Sequence, residues 1–338
     1  EKNVGGAHQG SPGRGGYFSP WTIPPLEEAD VPEGTYLTDY LTDRIIDLFD
    51  ARDERPFYLN LCYYQVHTPL QAKEEKIRKY EAKARALGLD AVQPFSEDEF
   101  FPCDHKKDQR VKRRLVQSDP VYAGMIESLD ESIGRILDYL DENGLADDTL
   151  LFFTSDNGGL ATSEGSPTCN APLAEGKGWM YEGGTREPLL VRWPGQIEAG
   201  STCSVPVTSP DFYPTLLELA GLDPLPEQHC DGTSIAPLLR GAPSIEREAI
   251  FWHYPHYGNQ GGTPGSSVRC GDYKLIEFFE DGRLELYNLR DDIGEDDNLA
   301  EREPETRNRL HALLVTWRES VEAKIPEPNP HWPSQGGE

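Results

Sequence analysis

Four residues carry side chains that could do chemistry together: His67, Asp156, Asn157 and Lys177. Asp156 and Asn157 stand in LLFFTSDNGG, where an apolar run stops at a carboxylate, an amide and two glycines. Both offer hard oxygen donors, which suit Ca²⁺ or Mg²⁺ rather than a soft metal. Two side chains cannot complete a calcium shell of roughly six to eight oxygens, so further donors have to come from elsewhere. Asn-Gly is also a strong hairpin signal, and an isolated Asp-Asn-Gly reads first as a turn bonding its own backbone. A hairpin, however, needs a second alternating strand straight afterwards, and LATSEGSPTCN supplies none. The strand context therefore favours ligands over a turn.

Lys177 lies in AEGKGWMYEGGTREP, flanked by Gly176 and Gly178 and followed by Gly183 and Gly184. Glycines beside a lysine let the backbone approach a ligand while the ammonium reaches an anion. Most lysines, though, are simply solvated. His67 follows an apolar segment and precedes Thr68-Pro69. An imidazole there could donate a proton or bind an anion, and taken alone it reads as a histidine hydrogen-bonding at a strand end. His8, in GGAHQG, could reach a substrate but reads first as a loop residue. His253 and His256 are three apart in a loop rich in Tyr and Pro, which is no ligand spacing. The six cysteines contain no C-x-x-C, which argues against structural zinc; their even number permits disulfides without demonstrating any.

The elements that must hold these residues follow from periodicity. Leu37, Leu41, Ile45 and Leu48 recur at helical spacing over 35–50. FYLNLCYY, after Pro56, reads as a buried strand running into His67. A charged, mostly exposed helix is expected over 73–88, and a polar, irregular excursion over 89–118. Asp119 and Pro120 look like an N-cap and first helical position. The helix they open carries Val121, Met125, Leu129, Ile133, Ile136 and Leu140 on one face and stops at Gly144. The apolar strand that ends at Asp156 follows, then PLLVRW (188–193) and a short helix at about 210–220. The repeated order of helix, loop, apolar strand and polar loop argues for a largely parallel sheet covered by helices on both faces. In such sheets ligands bind outside the carboxyl ends of the strands, which would put His67 and the Asp156–Asn157 pair on one rim. From 249 the style changes to short strands with Gly and Asp turns, an antiparallel pattern. A last helix is expected over about 303–322. The expected division is a main α/β body over 1–245 and a smaller sheet-and-helix subdomain over 246–338.

The balance of 32 basic against 59 acidic residues gives a net charge of −27. Such a surface repels nucleic acid and anionic membranes, so an anionic substrate must be met by a locally positive pocket. No stretch approaches the roughly 20 apolar residues of a membrane span. The start, EKNVGGAHQG, lacks both Met and an apolar core for a signal peptide, and the expectation is that a segment precedes it.

Three stretches, YYQVHTPLQ, LLFFTSDNGG and GKGWMYEGGTREPLLVRWPG, together resemble signatures of the sulfatases, within the alkaline-phosphatase-like superfamily. Their order matches, as does the 21-residue step from Asp156 to Lys177. The stretch DYKLIEFFEDGRLELYNLRDDIGEDDNLA is similar to the small subdomain of arylsulfatase-type members. The resemblance implies an α/β, alkaline-phosphatase-like sheet with helices on both faces plus a small C-terminal antiparallel sheet-and-helix subdomain. It implies hydrolysis of a small-molecule or glycan sulfate ester by a formylglycine, made from a Cys or Ser within C/S-x-P-x-R, beside Ca²⁺. Carried onto this chain, Asp156 and Asn157 become calcium ligands, Lys177 binds the sulfate oxygens, and His67 binds sulfate and protonates the leaving alkoxide. It further implies export. No Cys or Ser here is followed by x-Pro-x-Arg, and the family's paired aspartates and K-W-H type motif are absent. The expectation is a sulfatase lacking its N-terminal third, inactive as an isolated chain, with central strands missing and apolar edges exposed. A phosphate or phosphonate ester hydrolase of the same superfamily and a non-catalytic binder of sulfated glycans are the alternatives. Loops 89–118 and 255–266 are where substrate specificity is expected.

Overall fold

The computed structural model describes residues 16–330 apart from 24–25, 27–28, 98, 102 and 104–105, so His8 lies outside the described residues. In chain order the elements are α1 (Leu37–Asp50), α2 (Glu74–Ala86), β1 (Phe95–Ser96), β2 (Arg113–Arg114), α3 (Pro120–Glu142), β3 (Leu151–Thr154), α4 (Glu182–Thr185), β4 (Leu189–Arg192), α5 (Phe212–Leu219), α6 (Ala236–Leu239), β5 (Ile250–Tyr254), β6 (Gly265–Cys270), β7 (Tyr273–Phe278), β8 (Leu284–Asn288) and α7 (Pro304–Ser320). Two compact units divide the chain. The first holds the described residues up to Ser96 with Arg114–Leu150 and Glu164–Thr168; the second holds Glu97–Arg113, Leu151–Ser163 and the residues from Cys169 on.

In the first unit, α3 starts where Asp119 accepts hydrogen bonds from the amides of Val121 (2.9 Å) and Tyr122 (3.0 Å). This satisfies two of the amides that a helix N-terminus leaves open. Gly144, in the left-handed region at φ +66°, ends the run. The helix packs on α1 and α2. Its buried face holds Met125, Ile136 and Leu140, as periodicity predicts, together with the small residues Gly124, Ser128 and Ser132. A Cβ on Gly124 would come within 3.0 Å of the Ala72 methyl, so this glycine sets how closely α3 approaches the start of α2. Lys76 departs from the expected exposed helix: it is only 6% exposed, with its ammonium on Glu131. On α1 the buried positions are Leu37, Thr38, Thr42, Ile45 and Phe49, while Leu48 is 61% exposed. Phe49, stacked on Tyr139, takes the place expected of Leu48. Tyr17, Trp21, Tyr36, Leu37, Ala72 and Met125 form the core.

FYLNLCYY is corrected by the structure. It joins no ladder, and Tyr58 is 77% exposed. A run of apolar, β-prone residues becomes a buried strand only if partners take up its backbone groups and cover its faces. Among the described residues none does.

The second unit is built on the four-stranded antiparallel sheet β5-β6-β7-β8, as expected from the change of style at 249. Alternation along its strands divides two cores. Val268, Leu275 and Leu286 pack with Leu310 and Leu314 of α7. Ile276, Phe278 and Tyr287 face Met180 and Tyr181 instead. Phe251 stacks on Trp317 with ring centroids 4.8 Å apart, anchoring α7 near its end. In this unit β3 pairs with β4, antiparallel, with Leu151 opposite Arg192 and Thr154 opposite Leu189. The largely parallel sheet is thus not found among the described residues. The alternation of helix and strand reads element order, whereas strand direction depends on how the long connection from 155 to 188 returns. All six cysteines are free; Cys62 is exposed and Cys103 is buried. Among the described residues no helix is long and apolar enough to cross a membrane.

Candidate functional site

The turn after β3 is shaped by backbone contact. Neither Gly158 nor Gly159 has a positive φ, so the Asn-Gly pair does not form the hairpin turn its composition suggests. These glycines serve close approach. A Cβ on Gly158 would lie 1.7 Å from the Gly183 carbonyl oxygen, and one on Gly176 would lie 2.2 Å from that of Gly159. Asn170 clamps the same turn: its amide donates to the carbonyls of Gly159 (2.9 Å) and Glu175 (2.8 Å), and its oxygen accepts from Gly159 N–H (3.1 Å).

Lys177 follows directly from this knot, because its backbone N–H donates to the Gly159 carbonyl at 3.1 Å. Asp156, Asn157 and Lys177 are therefore brought to adjoining turns of one unit. The Asp–Asn couple is not consumed by its own loop. Among the described residues no hydrogen bond or ion pair engages either side chain, and only the Asn157 backbone carbonyl accepts a bond, from the Ser155 hydroxyl at 3.0 Å. Lys177 is half-buried and, again among the described residues, has no acidic partner, although carboxylates outnumber cations heavily.

The loop carrying Lys177 is held from several sides within the same unit. Glu175 enters it at φ +58°, its buried carboxylate held by Arg113. Trp179 donates to Thr162 (2.9 Å), which donates to the Gln260 carbonyl (2.7 Å). Glu182, which opens α4, meets the fully buried ammonium of Lys274 at 3.0 Å, and the same ammonium lies 3.0 Å from Glu295.

His67 belongs to the first unit. Its N–H donates to Tyr64 O (3.0 Å), and its carbonyl accepts from the Tyr17 hydroxyl (2.9 Å). The ring Nδ1 is 2.7 Å from the Thr68 carbonyl. A carbonyl can only accept, so Nδ1 carries a hydrogen, and Nε2 is the nitrogen that takes up or releases a proton.

One residue of this region escapes sequence reasoning. Glu187 precedes Pro188, which has no N–H, and the β3–β4 ladder runs no further than Thr154–Leu189. Glu187 Oε1 is buried without a hydrogen-bond partner. Burial, and then the charge of Asp156, push the Glu187 carboxyl up to about 7. The influence of Asp156 on this carboxyl is not written in the motif. Among the described residues no three His, Cys, Asp or Glu side chains already form a metal cluster. The donor set present, a carboxylate and an amide without partners beside an orphaned carboxylate oxygen, fits a hard dication that draws further oxygens from elsewhere.

A family model described as Sulfatase matches residues 4–222, and one described as N-sulphoglucosamine sulphohydrolase, C-terminal, matches residues 175–320. A sulfatase of Formosa agariphila is 32% identical over 347 residues, covering 90% of this chain and 57% of that protein. The crystal structure of Ps i-CgsB in complex with k-i-k-neocarrahexaose aligns with a TM-score of 0.66 at 28% identity, over 85% of this chain and 56% of that one. The phosphonate monoester hydrolase of Agrobacterium radiobacter aligns with a TM-score of 0.59 at 24% identity, over 86% and 63%, a likeness of fold. The chain spans about half the length of the curated relatives it matches, 57% and 53% for two of them.

Proposed function

We propose, from the premise that this chain belongs to the sulfatase family, of alkaline-phosphatase-like fold, that it carries the anion-binding and cation-binding part of a sulfuric ester hydrolase acting on a sulfated sugar. The observation that supports this most directly is Lys177, a half-buried ammonium without an acidic partner among the described residues, tied through Gly159 to the turn of Asp156 and Asn157. Lys177 meets the sulfate oxygens. Asp156 and Asn157 hold Ca²⁺, which when bound supplies Lewis-acid stabilisation of the charge on those oxygens. His67 gives the proton from Nε2 to the leaving alkoxide, a task typically worth about 10²–10⁴ in rate. The family's formylglycine has no counterpart within these 338 residues, since no Cys or Ser is followed by x-Pro-x-Arg. The neocarrahexaose bound by Ps i-CgsB supports an oligosaccharide as the ester's carrier, and we extend the reading to an exported protein.

Calorimetric titration of the 338-residue chain with Ca²⁺ and a sulfated oligosaccharide tests this. The sulfated sugar is expected to bind at least about tenfold more tightly than its desulfated form, the scale of one charge-assisted contact. Lys177→Ala removes that preference. Equal affinity for both sugars would end the anion-site reading. With an aryl sulfate the chain is expected to show no turnover, and sustained turnover would show that it holds its own nucleophile.

A further inference from the structure

Beside Lys177 stands a carboxamide that the fold does not use. Gly178, the next residue, lies in the left-handed region at φ +85°, and a Cβ there would come within 2.8 Å of Gln260 Oε1. The Gln260 side chain therefore fills the space that a larger residue at 178 would need. Its loop is fixed to the Lys177 segment by close backbone approach, since a Cβ on Gly262 would lie 1.8 Å from the Gly178 carbonyl oxygen. Gly258 N–H donates to the Gly262 carbonyl (3.0 Å), which closes the loop on itself. The Gln260 carbonyl accepts from the Thr162 hydroxyl (2.7 Å), and the Lys106 ammonium donates to the neighbouring Asn259 carbonyl (3.2 Å). The backbone of Gln260 thus holds the loop in place. Its half-buried side-chain amide does not, and among the described residues it makes no hydrogen bond.

An amide held rigidly but left without a partner offers two donors and an acceptor to whatever binds beside Lys177. Being neutral, it neither duplicates the ammonium nor repels a sulfate. A sugar hydroxyl, which both gives and takes a hydrogen bond, is the group that matches it. We infer that Gln260 is a specificity-determining residue that hydrogen-bonds a hydroxyl of the sugar carrying the sulfate, while Lys177 holds the sulfate itself. The inference rests on the sulfate reading of Lys177 above and extends it from the anion to the carbohydrate.

The experiment is a calorimetric titration of the full chain, in Ca²⁺, with two probes: a sulfated oligosaccharide and inorganic sulfate. The proteins compared are the wild type, Gln260→Met, Gln260→Glu and Lys177→Ala. Gln260→Met keeps the bulk against Gly178 and loses the amide. It is expected to weaken the oligosaccharide about fivefold, the scale of one neutral hydrogen bond, and to leave inorganic sulfate within about twofold of the wild type. A residue that only braced the loop would weaken both probes together. Gln260→Glu keeps the shape and sets a negative charge beside the anion, so both probes are expected to weaken by about fivefold or more. The inference is overturned by unchanged oligosaccharide affinity in Gln260→Met, by equal losses for both probes in that variant, or by wild-type sulfate affinity in Gln260→Glu. If Lys177→Ala binds both probes as the wild type does, or the wild type binds neither, the sulfate reading itself fails and takes this inference with it.

Discussion

Gly158 and Gly183 meet backbone to backbone, and this contact is what the two glycine pairs of the sequence are for. A methyl group on Gly158 would sit 1.7 Å from the Gly183 oxygen, and one on Gly183 would sit 2.1 Å from that of Ala174. Neither obstacle is a flexible side chain that could move aside. Gly158→Ala is therefore expected to destabilise the second unit by about 3 kcal/mol, the upper part of the usual overpacking range, read by urea unfolding. Gly195→Ala, at a left-handed turn with nothing within 4 Å of the added methyl, has no steric obstacle and is expected to lose only the conformational preference, about 1 kcal/mol. Asp156, Asn157 and Lys177 were legible in the sequence because their motifs are local. Glu187 was not: its carboxyl is raised by burial and by the charge of a residue 31 positions away.

The C-terminal sheet acts on the Lys177 loop through charge as well as packing. Lys274 of β7 lies on the same face as Ile276 and Phe278, beneath Glu182 and Glu295. Glu295 also accepts the Glu182 backbone N–H, which pins the first residue of α4. Burial pushes the Glu295 carboxyl upward, against the pull of Lys274. A carboxyl raised in the folded state contributes stability that is full below its unfolded value, about 4.3, and is lost as pH rises through the folded one. Stability is thus expected to decline with rising pH above that unfolded value, and Glu295→Gln is expected to make the decline shallower. Urea midpoints measured across that range would show the difference, and parallel profiles would contradict it. The strands and turns of this sheet were readable from the alternation in SSVRCGDYKLIEFF. The buried lysine was not, since alternation assigns a face without saying whether that face is covered by hydrocarbon or by two carboxylates.

On the scale of the whole molecule, a net charge of −27 opposes every anionic ligand that approaches Lys177. Screening acts first on the long-range part of that field, since the Debye length is about 10 Å at 0.1 M salt. The association rate of a polysulfated oligosaccharide is expected to rise from low to moderate ionic strength, the reverse of the trend for a basic protein. Stopped-flow binding at several salt concentrations would reveal the sign, and a falling rate would mean that the local field around Lys177 dominates at long range. The exposed apolar side chains Phe57, Tyr58 and Leu59 belong to the same scale. They are β-prone surface without a partner strand among the described residues.

By itself the sequence determined the elements whose signals are short-range: the Asp119 cap, the helix periods, the antiparallel C-terminal strands, and the motifs that place the chain among the sulfatases. Each rests on residues within a few positions of one another, where backbone geometry leaves few choices. The tertiary structure alone decided the direction of β4 against β3, the exposure of 57–60, the glycine contact beneath Lys177 and the orphaned carboxylate oxygen of Glu187. Those depend on long connections returning to particular partners, and the burial that results is set by what packs there rather than by the residue type.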